Sequence, residues 1–158
     1  MSRKDVDEWF AEYGESHQNP INKAIHWVCV PLIFWVIFGL LWAVPQPQWM
    51  AEIAFLNWAV LGAGVTSAFY LHLSPRLAKG LILFTLLCLL SFALYEAWFT
   101  TPLWLTCVVG FVVLWIGQFV GHHIEGAKPS FFKDIQFLLI GPAWLMGFLY
   151  RRWGIHYE

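Results

Sequence analysis

Charge is what this chain has least of. Only 12% of its 158 residues are Asp, Glu, Lys or Arg, against 59% that are hydrophobic. That is too few to cover the surface of a soluble domain of this length, so the composition predicts an integral membrane protein built as a single domain, residues 1–158. The net charge of −1 leaves no basic surface for nucleic acid. Cysteine is scarce too. Cys29, Cys88 and Cys107 make no C-x-x-C pair, and an odd count argues against a disulfide framework. All three fall inside apolar runs and read as packing or lipid-facing residues. No H-x-x-x-H or H-E-x-x-H occurs, which removes the metalloprotease signature. No ionisable residue lies mid-span, which argues against transport. The first 25 residues are polar and mixed in charge, so no cleavable signal peptide is expected.

What the chain does have is aromatic and aliphatic runs, with eleven tryptophans and fourteen phenylalanines. Four runs approach the ~20 residues that a helix needs to cross hydrocarbon. They are about Ala24–Val44, Ile53–His72, Leu77–Tyr95 and Leu103–His122. Before them, residues 5–13 place Val6, Trp9, Phe10 and Tyr13 on one helical face, which predicts a short helix lying on the membrane surface. Asn19 is placed to cap the next helix and Pro20 to open it. A fifth run, residues 135–149, is short and holds Gly141-Pro142, which predicts an interfacial or re-entrant C-terminal hairpin rather than a span. The fold class expected is all-α, a polytopic bundle of four transmembrane helices. Short loops make neighbouring helices antiparallel.

Lys and Arg are absent from the first and third loops and present in the N-terminal arm, the second loop and the tail. The positive-inside rule then puts both termini on the cytoplasmic side, with four crossings. The membrane would be a bacterial inner membrane, or the endoplasmic reticulum in a eukaryote.

Under that topology every histidine falls at one interface. Imidazole is costly in hydrocarbon and is the commonest metal ligand. Two clusters stand out. Tyr13, His17, Asn22 and His26 surround the start of the first span, with Asn22 and His26 one turn apart. Gln118, His122 and Glu125 share one stripe at the end of the fourth, before Gly126 and Pro129 end the helix. His123 is turned about 100° from His122 and is not expected to share its ion. Imidazoles with a carboxylate such as Glu125 suit non-haem Fe(II), with Zn(II) and Mn(II) also open. A histidine at a helix end also commonly just reaches for the headgroups. That is the reading taken for His72, while His156 sits in a tail expected to be mobile. Asn22 and Gln118 can equally be plain inter-helix hydrogen-bond partners.

These clusters carry a resemblance. Tyr13-Gly14-Glu15-Ser16-His17, Asn22-Lys23-Ala24-Ile25-His26 followed by Pro31, Gln118-Phe119-Val120-Gly121-His122 continuing to Glu125-Gly126 and Pro129, and Leu139-Ile140-Gly141-Pro142 together resemble one family over nearly the whole chain. It is the membrane family named for the metabolism of phytosphingosine to odd-numbered fatty acids. The resemblance implies an Fe(II) dioxygenase that performs α-oxidation of 2-hydroxy fatty acids, consuming dioxygen and releasing CO2. It implies His17, His26 and His122 as metal ligands, with Glu125, Asn22, Gln118 and Tyr13 supporting catalysis. Lys23 or Lys128 would attract the substrate carboxylate. Membrane lipid is the expected surroundings, and the number of copies in an assembly is left open. The rival readings are a zinc-dependent lipid hydrolase, a haem protein with paired axial histidines, and a non-enzymatic lipid-binding protein.

Overall fold

Each helix begins where the sequence provides a cap. In the computed structural model, which describes residues 5–126 and 137–157, Asp5 opens the first helix, α1 (Val6–Glu15). Its side chain accepts the Glu8 N–H at 2.8 Å, and the Glu8 carboxylate accepts the Asp5 N–H at 3.1 Å. The two orphan donors of that first turn are thus satisfied reciprocally. Asn19 caps α2 (Pro20–Ala43) by accepting the Ile21 N–H at 2.9 Å, with Pro20 in the first turn as expected. The short α3 (Gln48–Ala51) follows. Then come α4 (Trp58–Leu73), α5 (Pro75–Trp98), α6 (Leu103–Glu125) and α7 (Ile140–Arg152). No strand occurs among the described residues.

Helices α2, α5 and α6 are long and apolar enough to cross a membrane. Helix α4 is apolar but has 16 residues, about 24 Å at ~1.5 Å per residue, short of a ~30 Å hydrocarbon core. It starts later than the hydropathy suggests. Phe55 takes a positive φ of 63°, and Asn57 caps the helix through the Val60 N–H at 2.9 Å. The apolar residues Ile53 and Phe55 therefore lie on an exposed turn and not in the helix.

Helix α2 is the centre of the bundle. It packs along α6 most extensively and also touches α4, α5 and α7. The α2–α6 seam is built from small residues, which lets the backbones approach closely. Gly117 faces the Cys29 sulfur, Gly110 faces Val36, and Gly121 faces Asn22. Gly39 of α2 lies directly on the Cys107 sulfur and beside the Phe92 ring. All three cysteines are buried and unpaired, in keeping with the packing role. The outer faces of α5 and α6 leave apolar side chains such as Leu83, Leu90, Val109, Val113 and Ile116 exposed, a surface suited to lipid contact.

Other expectations change as well. The apolar face of α1 is not spread on a membrane surface. Val6, Phe10 and Tyr13 are buried in a cluster with Ile140 and Ala143 of α7, and Phe10 fits over Gly147. The predicted break at Gly141-Pro142 is absent too. Both residues sit in the first turn of α7, where a proline needs no N–H partner, and the helix runs on to Arg152. Residues 135 and 136 of the expected hairpin lie outside the described residues. The tail is also tied down. Tyr157 is buried against Phe10, and its carbonyl accepts the Ser74 hydroxyl at 2.7 Å.

The seam yields a stability prediction. A Cβ on Gly39 has no room between Cys107 and Phe92, so Gly39→Val should cost ~1–3 kcal/mol by overpacking. Thermal unfolding in detergent measures the loss, and adding Cys107→Ala should restore part of it.

Candidate metal centre

The site is assembled from three separate segments. His17 stands in the link between α1 and α2, His26 lies in the second turn of α2, and His122 lies in the last turn of α6. Their rings meet. Centroids are 4.2 Å apart for His17–His26, 5.0 Å for His26–His122 and 5.5 Å for His17–His122. One ligand nitrogen from each lies within 4.8 Å of the others, and all three side chains are buried. At 2%, 2% and 7% exposure they are enclosed by protein, so the reading of histidines reaching outward does not apply to them.

Two of the rings are oriented by backbone carbonyls. His17 Nδ1 is 2.6 Å from the Tyr13 carbonyl, and His26 Nδ1 is 2.9 Å from the Asn22 carbonyl. A carbonyl only accepts, so each Nδ1 carries the proton and each Nε2 is left as the acceptor nitrogen of its ring. The Tyr13 ring stacks on His17 at 4.1 Å and 9°, which fixes the plane of that imidazole. Nε2 of His17 is buried with no hydrogen-bond partner. A buried acceptor left unmatched is costly, and a metal ion is the partner that this arrangement fits.

Burial sets the protonation of His17. It lowers the pKa from 6.5 to about 4, with His122 and Lys23 adding to the effect and the Tyr13 carbonyl and Glu125 opposing it. His17 is therefore neutral at pH 7, the form that binds metal.

The other expected residues are near but do different work. Gln118, buried one turn before His122, reaches His26 with its side chain. Glu125 is outside the cluster of ligand atoms. Its carboxylate accepts the Gln18 N–H at 2.7 Å, the Asn19 N–H at 2.9 Å and the Asn22 side-chain amide at 2.9 Å. Asn22 also donates to the Ser16 carbonyl at 3.0 Å. His72, His123 and His156 are exposed and lie outside the centre. Lys128, offered as a partner for a carboxylate, is outside the described residues.

A cavity opens from the three histidines and Gln118. Its walls are apolar: Val30 and Ile33 of α2, Trp115 and Phe119 of α6, and Phe137 and Leu138 before α7. Two glycines outside the ligand clusters also shape the site. Gly121 lets α6 close on Asn22, and Gly141 lets α7 close on Tyr13 and Val30. Their signal was visible only as a glycine one residue before His122 and another before Pro142.

The model of the 2-hydroxy-palmitic acid dioxygenase Mpo1-like family matches residues 3–153. The chain belongs to that family. No curated protein and no solved structure matches it. The match spans all three histidine-bearing segments and the helices that line the cavity, so the centre lies inside the family's common region.

The lowered pKa of His17 predicts an acid-sensitive fold. The unfolded chain gains a proton on His17 near 6.5, whereas the folded protein resists it down to about 4. The stability of the metal-free protein should therefore be intact above 6.5 and fall as the pH drops towards 4. Chemical denaturation in detergent at successive pH values reads this, and His17→Asn should flatten the slope.

Proposed function

We propose that this protein is a membrane Fe(II)-dependent dioxygenase that shortens 2-hydroxy fatty acids by one carbon. The observation that carries the proposal is the convergence of three buried imidazoles at the head of an apolar cavity, in a chain of this family. His17, His26 and His122 are the proposed ligands. Three neutral nitrogen donors leave coordination positions open for substrate and oxygen, which suits non-haem iron. Iron held by these three residues would supply the activation of dioxygen beside the bound 2-hydroxy acid.

The chain's own residues account for binding and orientation. The substrate's carboxylate and 2-hydroxyl lie at the histidines, with Lys23 close enough to His17 to attract the negative charge. The acyl chain lies against Val30, Ile33, Trp115 and Phe119, which also exclude water. Tyr13 and the Asn22 carbonyl keep the imidazole planes and tautomers in place. Gln118 is the polar side chain in the cavity wall, available to the substrate head. The reaction balances as one 2-hydroxy acid and one dioxygen giving the acid one carbon shorter, CO2 and water. The membrane arrangement proposed has one domain and four crossings. Helix α4 is the shortest crossing, both termini are cytoplasmic, and the site lies at the inner interface, where a substrate with a polar head and an apolar tail resides.

The test is anaerobic reconstitution of the detergent-purified protein with Fe(II), followed by 2-hydroxypalmitate and oxygen. The C15 acid should appear by mass spectrometry, require both iron and oxygen, and vanish in His122→Ala. Bound zinc with no C15 acid would point to the hydrolase. A Soret band would point to haem. No metal at all would leave a lipid-binding protein.

A further inference from the structure

Glu125 occupies a position that its own helix disfavours. It is the last residue of α6, where the helix dipole presents negative charge to a carboxylate. It lies against the start of α2, where the dipole has the opposite sign. There it accepts the N–H groups of Gln18 and Asn19, the residue before the cap and the cap itself. These donors have no intrahelical acceptor of their own. The same carboxylate takes the Asn22 side-chain amide.

Those three contacts reach every segment that carries a proposed ligand. Glu125 is three residues after His122, on the same stripe of α6. Gln18 directly follows His17. Asn22 is one turn before His26, and its carbonyl holds the His26 Nδ1 proton. The bridge spans more than a hundred residues of sequence and lies at the end of the glycine seam, where Asn22 also meets Gly121.

We propose that Glu125 is a positioning residue: a clamp that locks the His17 link and the start of α2 onto the end of α6, and so sets the distance between His17, His26 and His122. It does not touch the metal. It preorganises the centre by removing the freedom of residues 16–22. A Glu125→Gln side chain replaces one acceptor oxygen with an NH2 group that faces N–H donors, so the clamp opens while size is kept. This inference rests on the three histidines being metal ligands, as proposed above.

The experiment uses Co(II) alone as the probe, followed by its visible absorption, with amide hydrogen exchange on the same metal-free samples. Glu125→Gln should bind Co(II) at least about 10-fold more weakly, the low end of what supporting residues of a metal site usually contribute. Peptides covering residues 14–24 should exchange faster, and those covering 81–92 should stay as in the wild type. Glu15→Gln, which removes the same charge from an exposed site on α1, should match the wild type in both readouts. Unchanged Co(II) affinity in Glu125→Gln would overturn the clamp. So would a loss of protection in 81–92 alongside 14–24, which would mark a general loss of stability. If wild-type protein shows no Co(II) binding that His122→Ala abolishes, the metal reading fails. The exchange of 14–24 then still decides whether Glu125 holds the link.

Discussion

Burying three imidazoles at the end of an apolar bundle is the constraint on which the rest of this structure depends. Each ring must be oriented and given a use for its second nitrogen. His17 and His26 meet the first demand through the Tyr13 and Asn22 carbonyls, and the unpartnered Nε2 of His17 leaves the second to be met where the three rings converge. Stacking by Tyr13 and docking of α1 on α7 add to the hydrogen bonds that hold His17, because it stands in a link with no helix of its own to fix it.

The small-residue seam serves the same end. His26 and His122 come from helices whose backbones must run close together for their side chains to meet. Gly117 and Gly121 allow that approach within two turns of the site, and Gly39 and Gly110 continue it deeper. Because α6 is held chiefly by α2, most of its outer surface is left exposed and apolar. The cavity below the histidines lies between these two helices and the segment before α7, so it inherits apolar walls from residues that would be apolar anyway.

Much of the candidate site was legible because helix periodicity is local. Asn22 and His26, or Gln118, His122 and Glu125, share a face by virtue of offsets of three and four, and Asn19-Pro20 announces a helix start from two residues. Errors came where tertiary contacts decide. The face of α1 was read as membrane-bound because its sequence shows only that it is apolar, not what covers it. Gly141-Pro142 was read as a break because both residues disfavour helix interiors, yet in a first turn neither objection applies. Ile53–His72 was read as one long helix because hydropathy does not register the turn at Phe55.

The apolar composition, the helix starts, the all-helical class and the three candidate histidines follow from composition or from spacings within about two turns. That those histidines meet, that His72 and His123 stand apart, and that the Glu125 carboxylate bridges to the N–H groups beside His17 follow from how the helices pack. The physical reason is range. Helical spacing places side chains relative to their own axis, whereas a metal centre depends on angles and separations between axes, and here those are set by the glycine seam and by hydrogen bonds between residues more than a hundred positions apart.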